Sequence, residues 1–177
     1  MYHLRDLTTY GYTASINGLI MALFKLDGAA LALVAHRLWR GSLFHRFIAK
    51  VLRKISFLTF HIEIHPQAEI GEYLHIAHIG HVVIGKGAKI GNNVTMLHFT
   101  TLGTAGSGKR RGYPTVGDNV YIGVNAALIG KITVGNNVTI GPSSVVTMNV
   151  PDLAICIGNP ARVMGLKASG EETLCAE

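Results

Sequence analysis

The stretch VGDNVYIGVNAALIGKITVGNNVTIGPSSVV, residues 116–146, places an aliphatic residue at Val116, Ile122, Leu128, Val134, Ile140 and Val146. A period of six is neither the 3.6 of a helix nor the 2 of a single strand. A fixed repeat sustained over many residues signals a solenoid, and hexapeptide repeats are a β-helix signature. Two or three extended residues, a turn and another short strand make one side of a coil. Gly117-Asp118-Asn119, Gly123, Gly135-Asn136-Asn137 and Gly141 fall where such turns must bend, and those residue types adopt positive φ at low cost. Small residues such as Ala126 and Ser144 sit mid-repeat, as a tightly wound interior requires.

The beat extends outward. Ile64, Ile70 and Ile76 keep it, as do Ile84, Ile90, Met96 and Leu102. It breaks twice. Two extra residues enter at HIAHIGHVV, between Ile76 and Ile84, and eight enter at GTAGSGKRRGYPT, between Leu102 and Val116. An interruption of a rigid solenoid bulges outward, and such insertions gather on binding faces. Three hexapeptides make an eighteen-residue coil, so Ile84 to Leu102 is one step.

The chain of 177 residues is 49% hydrophobic, holds 21 glycines and carries a net charge of +6. That length suits one domain with an appendage. We expect a helical region over about 1–59, a mainly β, β-helical domain over 60–165 and a tail over 166–177. Helix breaks are expected near Asp27-Gly28 and Gly41-Ser42. Leu43 to Leu58 is amphipathic and basic. It is either a helix packed on the solenoid end or on another subunit, or a peripheral contact with an anionic membrane surface. No apolar run is long enough to span a bilayer. The N-terminal MYHLRDLTTY does not read as a signal peptide. Cys156 and Cys175 have no metal or redox spacing and read as reduced thiols of a cytoplasmic protein. Basic residues cluster, but no nucleic-acid module accompanies them, so no nucleic-acid partner is expected.

Residues about 60–165 resemble a known family. The order IEIHPQAEIG, a histidine-bearing break, VVIGKGAKIGNNV, TTLG with a glycine-rich loop, VGDNVYIGVNAALIG, VGNNVTIGPSSVV and VPDLAICIGNPARVMG is similar to the serine acetyltransferase branch of the hexapeptide-repeat acyltransferases. The resemblance implies a left-handed parallel β-helix capped by N-terminal helices. It implies a homotrimer, with the option that two trimers pair, and active sites in clefts between subunits. It implies acetyl-CoA as co-substrate, with no metal. The family's catalytic histidine falls on His78, and the aspartate that orients it falls on Glu63. Two other positions depart. The aspartate before the histidine is Ala77, and the Arg-His-Pro run closing the loop is Gly112-Tyr113-Pro114. In the family that aspartate and arginine hold the charged ends of serine.

An alcohol becomes nucleophilic as its proton leaves, and a positioned histidine contributes about 10²–10⁴-fold. Glu63 would fix the tautomer of His78 and stabilise the imidazolium. Backbone near Gly103 would meet the oxyanion. Gly123 and Gly141 would line the pantetheine arm, and Arg162 the CoA phosphates. With Ala77 and Gly112 in place of those charge partners, burying a free amino acid is costly. The sequence alone therefore favours a neutral sugar hydroxyl on a nucleotide- or lipid-linked precursor, making the protein a polysaccharide O-acetyltransferase. Tyr113, His81 and His98 would then hydrogen-bond the acceptor, and Arg110 and Arg111 a phosphate on its carrier. His98 is read equally as an ordinary coil residue. His65 is read as fixing a turn, and the His75, His78, His81 spacing as unsuited to one metal ion. The alternatives are a true serine acetyltransferase and a non-catalytic β-helix scaffold.

Overall fold

The computed structural model describes residues 8, 10–11, 17–18, 27–78, 80–108 and 110–167. Two helices lead into fifteen short strands. The first helix, α1, spans Gly28–Leu38. Asp27 caps it, its side chain accepting from the Ala30 N–H at 3.0 Å, which satisfies one of the free donors of a helix start. The second, α2, spans Leu43–Phe60 and ends at His61, which takes a left-handed conformation. Both expected breaks are therefore caps. Before residue 27 the described residues Thr8, Asn17 and Gly18 are helical, and the rest of any helix there lies outside the described residues.

The strands wind into three parallel faces. Face one holds β1 (Ile62–Ile64), β4 (Val82–Ile84), β7 (Thr101–Gly103), β10 (Ala127–Ile129) and β13 (Val145–Val146). Face two holds β2 (Glu69–Ile70), β5 (Lys89–Ile90), β8 (Thr115–Val116) and β11 (Thr133–Val134). Face three holds β3 (His75–Ala77), β6 (Thr95–Leu97), β9 (Tyr121–Ile122), β12 (Thr139–Ile140) and the β14–β15 hairpin (Ala154–Gly158, Ala161–Leu166). The register measures each coil. Val83 pairs with Thr101 and Thr115 with Thr133, one plain coil apart. Glu63 pairs with Val83, a coil lengthened by the first break, and Thr101 with Ala127, a coil lengthened by the second.

Every aliphatic residue on the six-residue beat from Ile64 to Val146 is buried, as are Ala126 and Ser144. Each strand is too short to be stable alone, so stacking of coils supplies the continuous core. The first coil would expose that core. α1 covers it: Gly28 to His36 are all buried, and Arg37 donates to the Ile70 carbonyl at 2.7 Å and to the Gly71 carbonyl. α2 crosses close to α1 because Gly28 has no side chain; a Cβ there would stand 2.2 Å from the Phe60 ring.

Candidate active site

The three edges of the prism differ in chemistry. The edge between faces two and three repeats one solution. Tyr73, Asn93, Asn119, Asn137 and Leu153 hold positive φ, and from Asn92 onward the side chain just before each accepts from the backbone of the coil before it. Asn92 Oδ1 accepts from Glu72 N at 2.8 Å, Asp118 Oδ1 from Asn92 N at 2.6 Å, Asn136 Oδ1 from Asp118 N at 2.8 Å, and Asp152 Oδ1 from Asn136 N at 2.7 Å.

The edge between faces three and one carries the histidines. His78 stands at φ 68° and Phe99, one coil on, at 60°. Positive φ is uncommon outside glycine and is unfavourable for a bulky side chain, and such outliers cluster at functional sites. The His78 ring meets the His98 ring edge-on at 5.7 Å, and His98 meets Phe99 at 5.2 Å. His98 Nδ1 is buried without a hydrogen-bond partner. Gly80 makes room for this arrangement, since a Cβ there would lie 2.7 Å from that of His98. His81 stacks instead beside His61, at 6.2 Å. His75 lies on face three against Tyr10, at 5.6 Å. The three histidines thus point into three different surroundings. His65 fixes a turn, its Nδ1 accepting from the Gln67 N–H at 3.1 Å.

Gly123 and Gly141 follow β9 and β12 on the same edge as His78. Their N–H groups donate to Ile140 O at 2.9 Å and Cys156 O at 2.8 Å, within the coil ladder. What these glycines supply is closeness: a Cβ on Gly123 would meet Pro142 N at 2.8 Å, and one on Gly141 would meet Ile157 Cγ1 at the same distance. Arg162 is the register partner of Ile157 and is exposed. Its Nη1 reaches only its neighbour's carbonyl, at 3.5 Å. His78, His98, Gly123, Gly141 and Arg162 therefore follow one edge from the first coil to the last.

The remaining candidates stand across face one, on its edge with face two. Gly103 ends β7, and its carbonyl accepts from Gly130 N at 3.0 Å. The 104–114 loop leaves from there. Arg110 is held by the solenoid, its guanidinium donating to the Thr147 carbonyl and its own carbonyl accepting from Lys131 N at 2.9 Å. Arg111 is exposed, and Lys109 lies outside the described residues. The Tyr113 ring lies on Gly85 and Gly87, where a Cβ would stand 2.5 and 2.7 Å from it. Glu63 faces outward from face one into an open cleft of about 380 Å³ with Lys50, Arg53, Lys54, Phe57 and His65. Burial, then Arg53 and Lys86, lower the pKa of His65, and Glu63 opposes them. Glu63 and His78 share no hydrogen bond within the chain.

One chain thus presents two half-sites on the two flanks of face one. Both breaks in the six-residue beat fall on these flanks. Phe99 was not among the candidates. Its signal is the coil equivalence of Phe99 with Asn125 and Ser143, which hold the same positive φ, and that becomes readable only once the coils are aligned.

Residues 113–147 match the family Bacterial transferase hexapeptide (six repeats). The serine acetyltransferase of Bacillus subtilis (strain 168) is 40% identical over 131 residues, 74% of this chain and 59% of that protein. Soybean serine acetyltransferase complexed with serine superposes with a TM-score of 0.67 at 39% identity, over 77% of this chain and 56% of the other. A serine acetyltransferase in complex with CoA gives 0.66 at 33% identity, over 77% and 56%. The chain spans about three-fifths of the length of the curated relatives it matches.

These relatives overturn the saccharide acceptor and the polysaccharide role expected from Ala77, Gly112 and Tyr113. That expectation treated two substitutions as the loss of every charge partner. A cleft shared between chains can draw charge from elsewhere, and exposed Arg111 sits directly beside Gly112. By repeat, by fold and by sequence, the described solenoid is that of the hexapeptide-repeat acyltransferases.

Proposed function

We propose that the protein is a serine O-acetyltransferase using acetyl-CoA. The observation that carries this reading is the similarity to serine acetyltransferases over three-quarters of the chain, spanning the break that holds His78. The geometry supports it, because the His78 edge continues into the narrow Gly123–Gly141 edge that ends near Arg162.

In this reading His78 accepts the proton of the serine hydroxyl as the oxygen attacks the thioester carbonyl. The C–O bond forms, the C–S bond breaks, and the imidazolium returns its proton to the departing CoA thiolate. An amide or hydrogen-bonding side chain near the carbonyl oxygen stabilises the oxyanion, and Gly103 belongs to the flank that would supply it. Since the Gly123 and Gly141 amides serve the ladder, the pantetheine arm would run against their bare Cα surface. Arg162 would meet phosphate at its end.

The two half-sites lie on opposite flanks of face one, so the reading requires a second copy. A homotrimer would bring the His78 flank of one protomer to the loop flank of its neighbour. Arg111 would then face the serine carboxylate, and Glu63 would orient His78 only if assembly closes the space between them. Release of CoA thiol from acetyl-CoA with serine, at a kcat/KM of about 10⁴ M⁻¹s⁻¹ or above, is the expected result. No serine-dependent release by a purified, oligomeric protein would refute the proposal.

A further inference from the structure

The exposed face of α2 is the largest unpartnered apolar feature among the described residues. The helix buries Ala49, Leu52, Ser56 and Phe60 against the rest of the chain. A second stripe faces outward: Leu43 (82% exposed), Phe44 (70%), Phe47 (65%), Val51, Ile55 and Leu58 (62%). The spacing of three, four, four and three from Phe44 to Leu58 keeps it on one side of a helix. At 1.5 Å per residue it runs about 21 Å. Exposed apolar patches of this extent mark interaction sites.

Charge selects the occupant. α2 contains no acidic residue, while Arg46, Lys50 and Arg53 fall between the outer and the buried stripes and Lys54 on the adjoining margin of the outer one. Lys50, Arg53 and Lys54 line the cleft beside Glu63, so three cations surround one carboxylate there. A second copy of α2 would oppose like charges and offer no carboxylate of its own to pair them. An anionic lipid surface offers both complements at once, phosphates for the cations and acyl chains for the stripe. No helix among the described residues is long and apolar enough to cross a membrane, so the contact is one of lying on the surface.

We propose that α2 docks the protein on anionic membranes, with Phe44, Phe47, Val51 and Leu58 entering the headgroup–acyl boundary and Arg46, Lys50 and Lys54 resting among the phosphates. The proposal does not depend on the acetyl-transfer reading, although Lys50 and Lys54 also line the cleft of Glu63.

The test is sedimentation of the full chain with vesicles of phosphatidylcholine mixed with phosphatidylglycerol, and with phosphatidylcholine alone. Binding is expected to the anionic vesicles only, and to weaken as salt rises. Each cation removed, as in K50Q or K54Q, should lower partitioning about fivefold. Phe44→Ser and Phe47→Ser should each lower it about tenfold or more. Both phenylalanines are exposed, so circular dichroism and thermal unfolding should match the parent; if either variant is misfolded, the charge variants decide. Equal binding to both vesicle types, or none to either, overturns the proposal. So does self-association in the absence of lipid that Phe47→Ser abolishes, which would assign the stripe to a second copy.

Discussion

Two edges of the same solenoid use the same backbone and different residues. On the edge between faces two and three, positive φ falls to Asn93, Asn119 and Asn137 in the middle coils and to Tyr73 and Leu153 at the ends, and side-chain oxygens from Asn92 to Asp152 tie coil to coil. On the edge between faces three and one, the first coils give that conformation to His78 and Phe99, and only later ones to Asn125 and Ser143. Asparagine adopts the left-handed region readily; an aromatic ring does so at a cost. What separates the two edges is the continuous ladder of side-chain-to-backbone bonds on the first, and on the proposed reading the second edge carries the chemistry.

The largest expected effect strikes the second edge alone. His78→Ala should lower serine acetylation by about 10²–10⁴-fold, the contribution of a general base, while CoA affinity by calorimetry and the melting temperature hold. If turnover stays within about threefold of the parent, the imidazole is not the base and the contrast between edges loses its meaning.

A histidine away from both edges sharpens the point. His36 is buried in α1, and neither ring nitrogen has a hydrogen-bond partner. Burial, then Arg37 and Arg40, depress its pKa to about 4; the nearby His65 backbone opposes them weakly. The unfolded chain protonates this ring near pH 6.5 and the folded chain only near pH 4, so stability is complete above 6.5 and falls as the pH drops toward 4. The full shift corresponds to about 3 kcal/mol. His36→Leu should flatten the pH dependence of the melting temperature across that window and raise stability at its acid end. An unchanged slope would mean that another group governs acid sensitivity.

Gly117 tests the structural edge. A Cβ there would lie 2.5 Å from Asn136 Oδ1 and 2.8 Å from the Gly135 carbonyl. Gly117→Ala should cost about 1–3 kcal/mol by overpacking, read by urea denaturation, with turnover per folded molecule intact. A loss of turnover without a loss of stability would place chemistry on the wrong edge.

The smallest effect concerns the acceptor. Ala77 immediately precedes His78, and on the proposed reading it leaves the serine ammonium without a carboxylate at that position. Ala77→Asp should lower the KM for serine about fivefold, as one charge-assisted hydrogen bond worth roughly 1 kcal/mol would, with kcat little changed. A KM that does not move would show that the ammonium is met elsewhere in the cleft.

The six-residue beat by itself determined the coils, their buried positions and both interruptions, because a solenoid is quasi-one-dimensional and each repeat contacts only its neighbours. Turn-forming residues placed the helix breaks near Asp27-Gly28 and Gly41-Ser42; Asp27 caps α1 through its side chain, whereas Ser42 makes no side-chain cap bond. Which candidates share an edge was beyond it. Sequence distance does not report that His98 lies beside His78 while Tyr113 and Arg110 lie across face one, since winding brings distant residues together and the same turn can face any of three directions. The carry-over of Glu63 and His78 as one dyad joined residues that the folded chain does not bond to each other. The acceptor was misjudged for a related reason: charge lost at two positions says little about charge that the rest of a cleft can supply. The commitment of Arg110 to the Thr147 carbonyl, and of the Gly123 and Gly141 amides to the ladder, was decided by packing between coils, which only the tertiary structure displays.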